Sequence, residues 1–209
     1  QNLNILQPTN LKDEAFLNNV KTLNANLQIV VAFRMLPKVV WQMPELGTFN
    51  LHASLLPNYR GAAPINWAII NGETKTGVST FFIDDNIDTG EMILQEKITI
   101  YQEDTARSLH DKLMALGSQL VLKTVKLIQQ GAVKTIPQLD SQNIKTAYKL
   151  HKDNCKIDWD SSIESIHNKV RGLHPYPAAW GLLSNGNEQL NIKVYEVKKH
   201  YEEHDHQTG

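Results

Sequence analysis

The run LQIVVAF at residues 27–33 constrains the fold more than any other feature of the chain. It is too short for an ordinary helix, and β-branched residues fill its centre. That is the pattern of a strand buried on both faces, as parallel strands of α/β domains are. The preceding TNLKDEAFLNNVKTLNAN reads as an amphipathic helix starting near Leu11. Asn10 is its expected N-cap, acidic residues follow in the first turn, and Phe16, Leu17, Val20 and Leu23 share one face. A helix feeding a buried strand places the chain in the α/β class.

The rest of the first unit fits. GTFNLHA is a second strand; Pro64 stands where N1 of a helix belongs, INWAII supplies that helix, and NGET stops it. GVSTFFI and EMILQEKITI alternate as an antiparallel pair around the acidic turn DDNIDTG. From Thr105 to Gln130, Leu109, Leu113, Leu116 and Leu120 recur at helical spacing, with Gly131 placed as the C′ residue. Val133 to His151 lacks periodicity and reads as a linker or arm. Beyond it IESIHNKVRGL is a short helix, HPYP a stiff turn and LNIKVYEVKK an alternating strand, so a second, β-containing unit is expected. The division predicted is a catalytic unit over 1–132, a linker over 133–150 and the start of a second domain over 151–209.

Composition narrows the function classes. The chain has 209 residues, 41% of them hydrophobic and 21% charged, with a net charge of −1, which is a globular composition. Its apolar runs fall far below a bilayer span, so no membrane partner is expected. Residues 133–200 carry a net +3 and the remainder is balanced or acidic, most simply a solvated surface. Cys155 is the single cysteine; it can form neither an internal disulfide nor a zinc site by itself, which fits a reducing, cytoplasmic setting. The chain opens on Gln with no signal-type segment, and the expectation is that the native N-terminus lies upstream.

The candidate chemistry lies in FNLHASLLPNYRGAAPINWAI, residues 49–69. On a strand, Asn50 and His52 project from the same face. At the carboxyl end of a parallel strand that face opens onto the crevice where α/β sheets bind ligands. An N-x-H alone is more often a satisfied polar pair at a strand end. His200, His204 and His206 stand in a polar tail and read as a loop rather than a metal site, and His110 and His174 read as structural. Trp67, Trp159 and Trp180 read as core or junction residues.

The flanking strings shift those odds. N-x-H, S-L-L-P at Ser54 to Pro57, YRGAAP, and the D-x-G of Asp88 and Gly90 together resemble the folate-dependent formyltransferase family. The resemblance runs from Ile5 to about Lys199. It implies a Rossmann-like catalytic domain followed by a barrel-like (OB-like) C-terminal domain. Through the later KIDW and HPYPAAW segments it points to the branch that formylates initiator methionyl-tRNA. Enzymes acting on amino-sugar nucleotides or glycinamide ribonucleotide, the hydrolase domain of formyltetrahydrofolate dehydrogenase, and a non-catalytic formyltransferase-like module are the alternatives. The family's complete members begin with further strands and end with more barrel strands. The chain is therefore expected to be a fragment, unstable alone, of an enzyme that is a monomer when complete.

The resemblance implies a reaction and roles. An amine attacks the formyl carbon of 10-formyltetrahydrofolate, and the resulting oxyanion needs fixed donors. Asn50 supplies a neutral donor and His52, when protonated, a charged one. Asp88 orients His52 and helps to relay the amine's proton. Arg34, Met35 and Leu36, in a segment resembling the glycinamide enzyme's version, are expected on the pterin side. Ser54, Leu55, Leu56, Pro57, Asp84 and Asp85 join them there. Tyr59, Arg60 and Gly61 are expected at the mouth of the amine pocket. No metal is implied.

Overall fold

The computed structural model describes residues 3–32, 34–139 and 143–203. Phe33, and His204 and His206 of the tail, lie outside the described residues. Helix α1 (Glu14–Thr22) begins three residues later than expected. Its N-cap is Asp13, whose Oδ1 accepts the Phe16 N–H at 3.0 Å. Asn10 instead accepts the Lys12 N–H at 3.0 Å in a local turn. A carboxylate at the helix N-terminus also meets the positive end of the dipole, so the later cap is the better one.

The main sheet has four strands in the order β1 (Gln28–Val31), β2 (Thr48–His52), β4 (Lys75–Phe82), β5 (Met92–Thr99). β1 runs parallel to β2, and β2–β4 and β4–β5 are antiparallel. LQIVVAF has the composition of a strand buried on both faces, but only one face of β1 is covered. Val30 is buried, but Ile29 is 45% and Val31 56% exposed. β1 occupies an edge of the sheet, and its outer side has no strand partner among the described residues. The short helix α2 (Lys38–Trp41) lies between β1 and β2.

Helix α4 (Ala106–Gln129) covers β4 and β5. A Thr105–Ser108 capping box starts it, and at its end the Gly131 and Ala132 N–H groups reach back to the Ile128 and Leu127 carbonyls at 3.0 Å. Gly131 has φ +62°, so glycine closes the helix as expected. Leu109, Leu113 and Leu120 are buried against Val78, Ile69 and Ile100, each contributing roughly 1.5–3 kcal/mol of burial. Leu116 is only partly buried beside them. Gly117 lets α4 close on β2, since a Cβ there would stand 2.8 Å from the Leu51 side chain.

The described residues of the expected linker pair with the first unit on both sides of 140–142. Ile136 exchanges two backbone hydrogen bonds of 2.9 Å with Met92. Further on, β6 (Thr146–Ala147) pairs in parallel with β3 (Arg60–Gly61). Beyond it, α5 (Ile163–Leu173), capped by Ser162, packs on α3 (Pro64–Ile70), and the Asn66 carboxamide donates to the Gly172 carbonyl at 2.8 Å. The hairpin β7 (Ala179–Asn185) and β8 (Glu188–Val194) follows. Trp67 and Trp180 donate to the Tyr148 and Lys152 carbonyls, and Trp159 packs on Gly181. Cys155 is buried, which pushes its thiol pKa up. No described helix is long and apolar enough to cross a membrane.

Candidate active site

Asn50 and His52 sit at the carboxyl end of β2, flanked by Val30 of β1 and by Phe81 and Ser79 of β4. The loop after them is buried at Ser54, Leu56 and Tyr59, so the backbone polar groups there need partners. Ser54 donates its hydroxyl to the Asn58 carbonyl at 2.7 Å, Ser79 donates to the Ser54 carbonyl at 2.7 Å, and Gln95 donates to the Leu56 carbonyl at 3.1 Å. These bonds bring the chain back beside the strand it left. Tyr59, with φ +62°, then aims its carbonyl at His52.

The distance from His52 Nε2 to that carbonyl is 2.8 Å. A carbonyl only accepts, so Nε2 carries the proton and Nδ1 is the nitrogen available for proton exchange. Nδ1 lies 3.7 Å from Asp88 Oδ2, with only 7% and 13% of the two side chains exposed. Asp88 itself has φ +55°, a conformation that Asp and Asn tolerate better than most residues. Its Oδ2 accepts the Gly61 N–H at 2.9 Å. Asp84 closes the loop before it, accepting from Thr89 Oγ1 at 2.8 Å and the Asn86 N–H at 2.9 Å. Two glycines permit the close approaches: a Cβ on Gly61 would stand 2.4 Å from the Ala147 carbonyl oxygen, and one on Gly90 1.7 Å from that of Phe82.

Asn50 differs from its neighbour. Its Oδ1 is buried without a hydrogen-bond partner among the described residues. A buried polar atom left unpaired is costly, so the Asn50 oxygen calls for a partner from outside the protein. Asn50, His52 and Gly61 border a cavity of about 950 Å³, together with Val31 and Ala32 at the end of β1, the start of α3, and Leu113, Met114 and Leu122 of α4. His110 and Ser118 add polar groups to its rim. Among the described residues no group of three or more His, Cys, Asp or Glu is placed to hold a metal ion.

The remaining expected residues fall into distinct places. Ser54 and Leu56 are buried, and the Ser54 hydroxyl is spent inside its own loop, while Leu55 and Pro57 are half-buried. Tyr59 turns its phenol away from the cavity onto Glu73 at 2.6 Å. Burial and then Glu73 push that phenol's pKa up. Burial alone would raise Glu73, but hydrogen bonds from Lys145 and Tyr59 outweigh it and hold the carboxyl down. Arg34 and Met35 are exposed and Leu36 is half-buried; Arg34 donates to the Pro8 carbonyl at 3.2 Å. Lys38, two residues past Leu36, pairs with Asp85 at 2.7 Å, joining the two loops expected on the pterin side. Arg60 donates to Gln138 Oε1 at 3.1 and 2.9 Å. The sequence pattern had not marked Gln138, because one side chain in an aperiodic segment leaves no signal.

Residues 2–125 match the family described as Formyl transferase, and residues 149–209 match its C-terminal domain. The chain belongs to the formyl transferase family. It is 67% identical over 208 residues to a methionyl-tRNA formyltransferase of Flavobacterium johnsoniae, a match covering 100% of this chain and 66% of that one. The chain thus spans about two thirds of the length of the curated relatives it matches. Among solved structures it resembles HypX from Aquifex aeolicus in complex with tetrahydrofolic acid, with a TM-score of 0.68 at 20% identity over 79% of this chain and 28% of that one. An N-formyltransferase from Helicobacter canadensis, in complex with folinic acid and dTDP-3-aminofucose, aligns with a TM-score of 0.55 at 31% identity, covering 59% of this chain and 46% of that one.

Proposed function

We propose that this chain carries the active site of an enzyme that transfers the formyl group of 10-formyltetrahydrofolate to the amino group of initiator methionyl-tRNA, in the cytoplasm. The observation that carries the reading is the strand-end pair. Asn50 has a carboxamide oxygen with no hydrogen-bond partner among the described residues, and His52 beside it has one nitrogen fixed by a carbonyl and the other facing a carboxylate. Formyl transfer to an amine asks for those two functions. Charge develops on the formyl oxygen, which a neutral donor such as the Asn50 amide stabilises without titrating. The attacking amine sheds a proton, which His52 Nδ1 can take while Asp88 stabilises the imidazolium formed. As the oxyanion collapses the formyl C–N10 bond breaks, and that proton passes to N10 of the departing tetrahydrofolate. The nucleophile belongs to the substrate, so neither a covalent enzyme intermediate nor a metal is part of the proposal.

For the other residues the proposal assigns neighbourhoods. Arg34, Met35, Leu36, Asp84 and Asp85 form the surface beside which the pterin would lie. Ser54 to Pro57 shape that site through their backbone course. Tyr59 contributes its carbonyl, Gly61 the wall of the cavity, and Arg60 a charge beside the amine-side mouth. Residues 1–132 are assigned to the catalytic unit, 133–150 to the segment crossing between units, and 151–209 to a unit that would help to hold the tRNA acceptor arm. Methionyl-tRNA as acceptor is favoured by the 67% identity to a protein of that name.

The test offers purified protein labelled 10-formyltetrahydrofolate with methionyl-tRNA, glycinamide ribonucleotide or an amino-sugar nucleotide in parallel. Formyl-methionyl-tRNA is the expected product. Transfer only to a small amine would replace the acceptor, and folate binding without transfer to any of them would mark a binding module.

A further inference from the structure

We infer that Gln138, in the segment crossing between the two units, is a positioning residue for Asp88; the inference rests on the reaction proposed above. Gln138 uses both ends of its carboxamide. Its Oε1 accepts from the Arg60 Nε at 3.1 Å and from Nη2 at 2.9 Å. Its Nε2 donates to the Asp88 carbonyl at 3.0 Å and to the Gly90 carbonyl at 2.8 Å. One side chain therefore grips the D-x-G loop on both sides of Thr89 and ties it to β3.

That tie bears directly on His52. Asp88 sits at positive φ, and a residue held in that region persists only where its surroundings over-determine it. Arg60, at the other end of the tie, directly follows Tyr59, whose carbonyl fixes His52 Nε2. Both partners of the imidazole are thus referred to a single carboxamide. The segment carrying Gln138 is itself pinned on either side, by Ile136 to Met92 and by β6 to β3. Removing the carboxamide leaves those pins in place but takes two hydrogen bonds from the Asp88 loop, which is then held against His52 only by the Gly61 N–H and by the Asp84 contacts among the described bonds. A displacement near 1 Å is enough to slow a reaction that depends on near-attack geometry.

The experiment compares wild type, Gln138→Ala and Gln138→Glu in the full polypeptide carrying this sequence, each with and without Asp88→Asn. It measures kcat, KM for 10-formyltetrahydrofolate and thermal melting. Glutamate keeps an acceptor for Arg60 but loses the donations to the Asp88 and Gly90 carbonyls. The expected result is a drop in kcat of about tenfold in both variants, equivalent to about 1.4 kcal/mol. KM should stay within about twofold, since the loss is confined to the transition state. In the Asp88→Asn background Gln138→Ala should add less than about twofold, because residues acting as a unit are non-additive. Unchanged kcat, full turnover in Gln138→Glu, or the same tenfold loss without the Asp88 carboxylate would each overturn the inference. If Gln138→Ala fails to melt cooperatively, Gln138→Glu decides. Wild-type transfer to a different amine corrects the substrate and leaves this test intact, since the readout is the ratio of variant to wild type. Absence of transfer to any amine overturns both.

Discussion

Replacing Asp88 with Asn separates charge from shape. Asn tolerates the φ of +55° at this position, and its Oδ1 can still accept the Gly61 N–H, so the loop should keep its course. What disappears is the negative charge 3.7 Å from His52 Nδ1. With an effective dielectric of about 20, Coulomb's law at that distance gives about 4.5 kcal/mol as a ceiling for the attraction to an imidazolium. Residual solvent at the site reduces this to about 2–3 kcal/mol, or roughly 30- to 160-fold in turnover. Asp88→Ala adds a second loss, because it orphans the Gly61 N–H at a cost of about 1–3 kcal/mol and places Ala at positive φ. Single-turnover formyl transfer, folate binding by fluorescence and thermal melting resolve the two. Asp88→Asn should melt like wild type, bind folate normally and turn over slowly, whereas Asp88→Ala should also melt early. An Asp88→Asn enzyme within about twofold of wild type would refute the electrostatic argument.

Three further outcomes follow from packing and ionisation. Gly61→Ala drives a Cβ to 2.4 Å from the Ala147 carbonyl oxygen at a φ of +119°, so it should separate β3 from β6 and cost more than about 2 kcal/mol in a denaturant melt. Tyr59→Phe removes the donor to Glu73 and should cost about 1–3 kcal/mol of stability while leaving kcat nearly unchanged, because Tyr59 meets His52 through its backbone carbonyl and not its phenol. Asp104 is buried, which raises its carboxyl pKa, but hydrogen bonds from Lys112, the Tyr101 N–H and Ser108 outweigh that and hold it below its ordinary value of 3.8. Its folded-state pKa being depressed, it stabilises fully at pH above that value, and the contribution is lost as pH falls through the lower folded value. Asp104→Asn should therefore cost about 2–3 kcal/mol near neutrality, with the difference from wild type closing in urea melts below that pH.

Much of this was legible in the sequence where a period or a cap expresses it. The α4 stripe, the β4–β5 pair, Pro64 at a helix start and Gly131 at a helix end all appear where expected, because each reports a local preference. Asn50 and His52 sharing a strand end follows from the two-residue repeat. Features set by distant partners were not legible. The described residues of 133–148 show no period because single bridges and side chains hold them, at Ile136, Gln138 and the β3–β6 pair. β1 has the composition of a strand buried on both faces, because composition reports what a strand would pack against, whereas here Ile29 and Val31, which share one face, stay partly exposed. Likewise Tyr59 looks like a pocket residue in the string NYRG, yet its positive φ turns the carbonyl inward and the phenol onto Glu73.

The account rests on His52 acting in the transfer step at a site that Asn50 completes. Its most direct measurement is rapid-quench formation of formyl-methionyl-tRNA by wild type and His52→Ala at saturating 10-formyltetrahydrofolate and methionyl-tRNA, with both binding constants determined on the same preparations. The prediction is a fall in the single-turnover rate of roughly 100-fold or more with both affinities within about twofold. A His52→Ala protein that transfers formyl at the wild-type rate, or that loses rate only in proportion to lost binding, would contradict it.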